Sequence, residues 1–395
     1  MITALARGRL ETAVQQRALV SEEFFAREAP RIARLCHRCA ERFARGARIL
    51  AVGSTPAGRS DARHVAVEFV HPVMVGKRAL PAIALTPEAG PVDRALALLA
   101  APEDIVIAFD ADEAVAREAM RKGCLTIGFG DHSEWCFDVP TRDPHVRQEL
   151  IETLYHVVWE LVHVFFEHRG LLRGRRPEPV HDAGSASFLY PFLAEQELDL
   201  DTVLAEVEAS IRMKATEATE LRRQTVLEGG QTLVAGAAEL HARYELRGRL
   251  LIAGNGGSAT DAMDLAADLR FPLGPWPPRP ALDLTEDTAV LTAVANDIGA
   301  ESIFSRQVIA QGRREDMLLV ISTSGSSDNL LAALAEARRA GLATMAMVGY
   351  DGGRITAEQL ADWVIVTRSE HIPRIQEAQA TACHLLRELI EAPSG

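Results

Sequence analysis

Hydrophobic residues recur with helical spacing over two long stretches of the chain, roughly residues 5–45 and 200–247. Each stretch is followed by short apolar runs, which lie at 49–52, 105–108, 250–253 and 318–321. The runs alternate with further helical patterns, as strands buried on both faces of a parallel sheet do. The pattern therefore predicts an α/β fold in which parallel sheets are flanked by helices.

The same landmarks occur twice along the sequence. RILAVG at 48–53 matches RLLIAG at 249–254, and later His156 and His384 open the similar segments HVVWELV and HLLRELI. Landmarks that keep their order in both halves indicate a tandem duplication.

The 395 residues therefore divide into two domains of one fold. We predict domains at 1–167 and 200–395. The segment 168–199 contains Gly, Pro, Arg and Ser without either periodicity, which is typical of a linker.

The net charge of −13 argues against a broad nucleic-acid surface, and no apolar stretch reaches the roughly 20 residues of a membrane helix. The first residues lack the apolar segment of a secretory signal. Cys36 and Cys39 form a CxxC, but helical periodicity surrounds them and no second CxxC follows, so packed thiols are the expectation. We therefore expect a reduced, cytoplasmic protein without a nucleic-acid or membrane partner.

Two loops of the second half have the composition of phosphate-binding loops. GNGGS at 254–258 leads into a helix that we expect to begin near Thr260. Its glycines permit close approach of a ligand to the backbone, and a helix N-terminus presents N–H groups to an anion. STSGSS at 322–327 precedes a helix over 328–340, and its five hydroxyls exceed what a helix cap requires. Together the loops indicate a phosphorylated ligand.

At these residues the chain resembles a known family. GNGGSATDAM, LTAVANDIGAESIFSRQV, VISTSGSSDNLL and RIQEAQATACH are similar to motifs of the sugar isomerase (SIS) domain, and within it of the phosphoheptose isomerases. The resemblance covers about residues 200–391 and, more faintly, 5–167. It implies two flavodoxin-like SIS domains in tandem. It also implies isomerisation of sedoheptulose 7-phosphate to D-glycero-D-manno-heptose 7-phosphate, by tetramers whose active sites lie at subunit interfaces.

The resemblance implies a set of substrate contacts in the second half. They belong to both loops, the segment between the loops and the last helix: Asn255, Gly256, Gly257, Ser258, Asn296, Asp297, Ser322, Thr323, Ser324, Ser327 and Gln376.

The family's zinc ligands are a His and a Glu four residues apart, and a Gln and a His eight residues apart on the last helix. In the first half His64, Glu68, Gln148 and His156 match all four positions, and each pair shares one helix face. Such donors suit zinc or another borderline divalent ion. The resemblance therefore implies a metal site in the first half.

The second half fits this zinc pattern less well. It keeps Gln376 and His384, but Asp264 stands where His is expected and Asp268 where Glu is expected. Pro373 replaces an acidic residue that often precedes the Arg of RIQE in the family. A metal site formed by these residues is the weaker alternative.

The first half, in turn, departs from the family in its phosphate loops. GNGGS has become GSTPAGR at 53–59, and the serine loop has become Asp110-Ala111-Asp112-Glu113, whose carboxylates would repel phosphate. The first half thus keeps the zinc-ligand pattern, and the second half keeps the phosphate loops. We therefore hypothesise that the halves complement each other as a pseudo-dimer, with two chains forming a pseudo-tetramer. In the alternative, the first half is only a structural partner.

Aldose–ketose isomerisation moves one proton between carbons and another between oxygens. We expect Glu68 to act at carbon and His156 at oxygen, with zinc polarising the carbonyl or orienting both. Asp268 and His384 are the alternative pair. A hypothesis of a different class is a non-catalytic sensor or assembly protein that binds a sugar phosphate through the second half.

Overall fold

The computed structural model describes residues 4–391 except 74–76, 111–112, 131, 173–198 and 275. Most of the predicted linker therefore lies outside the described residues. The chain forms two compact units, and we name each after the half that supplies most of it. The first-half unit comprises Leu19–Glu217, and the second-half unit comprises Met1–Ala18 with Ala218–Gly395.

The first half alternates strands and helices as its pattern predicts. Its elements are α1 (Ala4–Ala44), β1 (Ile49–Val52), α2 (Pro56–Val70), β2 (Ala82–Leu85), α3 (Val92–Leu99), β3 (Ile105–Ala108), α4 (Glu113–Arg121), β4 (Leu125–Gly128), β5 (Trp135–Cys136) and α5 (Pro144–Glu167).

The second half has the same alternation with additional helices between its strands. Its elements are α6 (Leu200–Glu245), β6 (Leu250–Gly254), α7 (Gly257–Arg270), β7 (Ala281–Asp283), α8 (Thr288–Asp297), α9 (Ser305–Gln311), β8 (Met317–Ser322), α10 (Asp328–Ala340), β9 (Ala343–Gly349), α11 (Gly353–Ala357), β10 (Trp363–Thr367) and α12 (Ile372–Ile390).

Both sheets are parallel, have five strands and share one strand order. It is β2-β1-β3-β4-β5 in the first half and β7-β6-β8-β9-β10 in the second. The central register pairs Ile49 with Ile105 in one sheet and Leu250 with Met317 in the other. The predicted fold, two flavodoxin-like α/β domains, is confirmed.

The turn after the first strand of each sheet needs a glycine for the same reason. A Cβ on Gly53 would lie 1.8 Å from the Gly58 carbonyl oxygen, and one on Gly254 would lie 2.2 Å from that of Ser258. No side chain fits such an approach between strand end and helix start. This requirement explains why the two glycines occupy matching places in the two halves.

Each long helix contributes residues to both compact units. Leu10 and Val14 of α1 belong to the core of the second-half unit, although most of α1 lies in the first-half unit. The first turns of α6 do the reverse, since Val203, Val207 and Ile211 belong to the first-half core. Along the chain, the two compact units are therefore divided within α1 and within α6, and the predicted linker lies inside the first-half unit.

Cys36 and Cys39 lie on α1 with their side chains buried in the core, as expected. Burial raises the pKa of both thiols, that of Cys39 to about 12, so neither is a reactive thiolate. No disulfide joins the five cysteines, all of which lie among the described residues. Across the described ranges we find no helix with the length and apolar character needed to cross a membrane.

Candidate functional site

Helices α2 and α5 bring three of the predicted metal ligands together in the first half. His64, Glu68 and His156 each offer one ligand atom, and these atoms lie within 4.8 Å of one another. The Nε2 atoms of the two histidines are 3.3 Å apart, and His64 Nε2 is 3.9 Å from Glu68 Oε1. All three side chains are buried. The cluster has the donor types and spacing of a divalent metal site.

The electrostatics of the cluster keep His64 neutral. Burial lowers the pKa of His64 well below the ordinary value, and the neighbouring His156 lowers it further. A neutral imidazole retains a nitrogen lone pair, which a metal ion requires.

Tyr155 orients His64 and was missed by the sequence reasoning. Its hydroxyl lies 3.1 Å from His64 Nδ1 and donates to Asp61 Oδ1 at 3.4 Å. A hydroxyl that donates to Asp61 accepts a hydrogen bond from the Nδ1–H of His64, which leaves the Nε2 lone pair facing His156. The only available signal was its position directly before His156.

The fourth predicted ligand of this half, Gln148, lies beside the start of α2. Its Nε2 donates to Ser60 Oγ at 3.5 Å, one helical turn before His64. Gln148 and His156 are thus presented to the same helix, as their spacing of eight residues predicts.

The loop that replaces the phosphate loop in the first half is filled by a carboxylate of the protein itself. Asp110 accepts hydrogen bonds from Ser54 N at 2.8 Å and Thr55 N at 2.7 Å, and also from the Thr55 hydroxyl. A Cβ on Gly58 would meet Asp110 Oδ2 at 2.3 Å. Asp110 therefore occupies the anion position at the start of α2. Asp112, a second carboxylate of this loop, lies outside the described residues.

The corresponding helix pair of the second half, α7 and α12, carries ion pairs. His384 Nε2 lies 3.2 Å from Asp264 Oδ2, and Asp268 Oδ2 lies 3.8 Å from Arg387 Nε. The structure thus pairs His384 with Asp264 and places an additional cation, Arg387, beside Asp268. Arg387 was missed, although it follows His384 by three residues, where Trp159 follows His156.

The glycine loop of the second half starts its helix earlier than expected. The helix α7 begins at Gly257 and not near Thr260, because Gly256 takes φ 57° and turns the chain at once. Gly257 and Ser258 therefore lie in the first helical turn. Asn255 exchanges two side-chain hydrogen bonds with Asn329 of α10, at 3.0 and 2.9 Å. Asn329, which the sequence reasoning missed, joins the two predicted ligand loops.

The serine loop is pre-formed by its own backbone. Ser322 is buried and its hydroxyl accepts from Gly325 N at 3.1 Å. Gly325 takes φ 61°, and a Cβ there would lie 2.2 Å from the Gly352 carbonyl oxygen. Ser327 precedes α10, yet its side chain makes no cap hydrogen bond. The simple interpretation of the loop as a serine helix cap is therefore not the one the structure adopts.

A cavity of about 600 Å³ opens beside this loop. Its lining combines the hydroxyls of Ser324 and Ser326 and the Arg368 guanidinium with the carboxylates of Asp351 and Glu370. The lining therefore offers hydrogen-bond donors and acceptors together.

The remaining predicted contacts are spread over the second-half unit. Asn296 and Asp297 end α8 and are exposed, and Asn296 donates to the Asp297 carboxylate at 2.7 Å. Gln376 is buried in α12. Thr323 lies half-buried between Ser322 and Ser324.

The fold and the loops place the protein in a class that the comparisons define. A model of the SIS domain family matches residues 215–349. The chain is 42% identical over 197 residues to the phosphoheptose isomerase of Desulfovibrio desulfuricans, covering 49% of this chain and 87% of that protein. It is 40% identical over 179 residues to the one of Nitratidesulfovibrio vulgaris, covering 45% and 85%. The chain belongs to the SIS domain proteins, and within them to the phosphoheptose isomerase family.

A solved structure extends the fold over nearly the whole chain. It is the C-terminal domain of glucosamine-fructose-6-phosphate aminotransferase from Francisella tularensis, with a TM-score of 0.55 and 9% identity, covering 96% of this chain and 94% of that one. The likeness at this identity concerns the fold. It agrees with two domains of one architecture.

Proposed function

We propose that the protein is a phosphosugar aldose–ketose isomerase that converts sedoheptulose 7-phosphate to D-glycero-D-manno-heptose 7-phosphate. The observation that carries the proposal is the buried meeting of His64, Glu68 and His156, in a chain whose relatives are named phosphoheptose isomerases.

Phosphate recognition is assigned to the second half. Its loops offer backbone N–H groups at the starts of α7 and α10 and the hydroxyls of Ser322, Thr323, Ser324 and Ser327. Asn255 and its partner Asn329 hold the two loops together. The other proposed substrate contacts are Gly256, Gly257, Ser258, Asn296, Asp297 and Gln376.

The residues of the first-half cluster fit a divalent ion, because three buried donor atoms converge and His64 is held neutral. His64, Glu68 and His156, with Gln148, would hold zinc, which when bound would polarise the substrate carbonyl.

Glu68 and His156 are the groups proposed to move protons. A carboxylate on a helix facing a buried histidine can remove the proton from C1 and return it to C2. The His156 imidazole can exchange a proton between the two substrate oxygens. Burial of both groups strengthens these interactions by excluding water.

We further propose a homodimer. Several large apolar side chains of the second-half unit are exposed, and α8 contains no buried residue. Phe271 is 66% and Leu273 60% exposed, and a second chain covering them would remove this apolar surface from water. Light scattering on the purified protein should give twice the 42.9 kDa of one chain.

The test is NMR of zinc-supplemented protein with sedoheptulose 7-phosphate, comparing Glu68→Gln with Asp268→Asn. The amide removes the base but keeps the shape of the side chain. We expect Glu68→Gln to lower turnover by about 10²–10⁴-fold, the range of general-base catalysis. Binding of the sugar phosphate should change little.

The two variants separate the competing hypotheses. If only Asp268→Asn loses turnover, the chemistry belongs to the second half. If the wild-type protein binds the sugar phosphate without turnover, the protein is a sensor and the isomerase proposal is wrong.

A further inference from the structure

The second-half helix pair α7 and α12 holds a permanent cation, Arg387, at the position where the first half has Trp159. The Arg387 side chain is fully buried, and a guanidinium does not lose its proton in proteins. Its Nε lies 3.8 Å from Asp268 Oδ2, and one terminal nitrogen lies 3.2 Å from Glu391 Oε1. Asp268 is the residue that matches the Glu of the family zinc site.

The guanidinium is fixed on its other sides as well. Its second terminal nitrogen donates to the Pro277 carbonyl at 3.2 Å. The indole ring of Trp276 covers its face, with the ring centroid 4.9 Å from the guanidinium carbon. These contacts hold the guanidinium beside Asp268.

Glu391 is paired with a second arginine in addition to Arg387. Arg279 donates to both of its carboxylate oxygens, at 2.8 and 2.9 Å. The contact of Arg387 with Asp268 of α7, at 3.8 Å, is an ion pair, whereas its contact with Glu391 at 3.2 Å is a hydrogen bond. One turn away, the imidazole of His384 pairs with Asp264 at 3.2 Å.

We infer that Arg387 is an internal cation that takes the place of a divalent ion in the second half, so that this helix pair is closed to metal. A metal ion held by Asp264, Asp268 and His384 would be repelled by the adjacent guanidinium. Metal binding is then confined to the His64, Glu68 and His156 cluster, with one ion per chain. The location of that ion rests on the proposed function, whereas the closure of the second half does not.

The test measures zinc content of the full chain after dialysis, and the absorption of cobalt(II) during titration. The wild-type protein should hold one ion. His64→Gln with Glu68→Gln should weaken binding by at least about 100-fold. If this double variant still binds an ion through Asp264 in the second half, the inference is overturned.

A matched pair of variants isolates Arg387. D264H/D268E restores the family's residue types but keeps the guanidinium, and it should gain no ion. D264H/D268E/R387M removes the charge with little change in shape, and it should bind one additional ion. If both variants gain an ion, Arg387 does not close the site and the inference is wrong.

Three outcomes remain distinct. If the wild-type protein holds no metal while the R387M triple variant binds one ion, the first-half metal proposal fails and the inference stands. If the triple variant binds no additional ion although its near-UV circular dichroism is unchanged, the inference is overturned. If the triple variant does not fold, the titration of the His64→Gln, Glu68→Gln variant decides alone.

Discussion

The last helices of the two halves, α5 and α12, occupy the same place in the fold, but different interactions stabilise the polar side chains that they bury. In both, a threonine donates to the carbonyl of a buried glutamate four residues earlier: Thr153 to Glu149 at 3.1 Å, and Thr381 to Glu377 at 3.2 Å. Three and seven residues after the shared histidine, the helices diverge. The first half has Trp159 and His163, and the second has Arg387 and Glu391.

The difference is one of charge. Trp159 is fully buried, and both ring nitrogens of His163 face backbone carbonyls, those of Trp159 and Arg78, at 2.8 and 3.1 Å. Burial lowers the pKa of His163 to about 4, so the residue is neutral. The second half instead stabilises its interior with ion pairs. One fold therefore tolerates either uncharged side chains or an ion pair at these two positions.

The largest effect should come from removing the charge of Arg387. Arg387→Met leaves Asp268 buried without its guanidinium, and breaking a buried ion pair from one side costs about 3–5 kcal/mol. Urea unfolding measures the loss.

The double variant Asp268→Asn, Arg387→Met provides the control. Because it removes the stranded charge too, we expect it to recover at least about 1 kcal/mol of the loss. No recovery would mean that Arg387 stabilises the protein through Glu391 or through packing. The ion pair with Asp268 would then contribute nothing measurable to stability.

Acid should destabilise the first half at higher pH than the second, through His163. The unfolded histidine has a pKa near 6.5 and the folded one about 4. Between these values the unfolded state binds a proton that the folded state does not. Stability from this group is therefore complete above pH 6.5 and falls by about 3 kcal/mol as pH drops to 4. Thermal unfolding across this range measures the slope.

Glu391, which matches His163 in the second half, should lose its contribution to stability only at lower pH. The hydrogen bond from Arg279 lowers the pKa of Glu391 below its ordinary 4.5, so its contribution is lost only as pH falls below that value. His163→Gln should reduce the slope between pH 6.5 and 4 and leave the part that buried His64 contributes. His132→Gln, whose side chain is 51% exposed, should leave it unchanged. Equal slopes in the two variants would refute the assignment to His163.

The elements that follow from apolar periodicity were predictable, because burial on a sheet or helix face fixes the pattern. The helix over 328–340 is one case, and the strands β1, β3, β6 and β8 are others. The start of α7 was not, since Gly256 turns the chain through a positive φ that any glycine in the loop allowed.

The candidate site was predictable only where a family pattern existed. His64, Glu68 and His156 meet as that pattern implies. Arg387 and Tyr155 were missed because their roles depend on which side chain faces them across two packed helices, and sequence spacing on one helix does not define that. The complementing of the two halves in one reaction stays a prediction.

The smallest effect concerns the two loops after the first strand of each half. Asp110 caps the first-half loop with its own carboxylate, so Asp110→Ala should cost about 1–2 kcal/mol, as loss of a helix cap does. Inorganic phosphate should restore part of this stability, because it can accept the same N–H groups. Thermal unfolding with and without phosphate measures both effects. Asp93→Ala, exposed in the first turn of α3, should show neither. If phosphate stabilises Asp110→Ala no more than Asp93→Ala, the first-half loop has lost the anion site itself, and Asp110 is a structural cap in a loop that no longer resembles GNGGS in function.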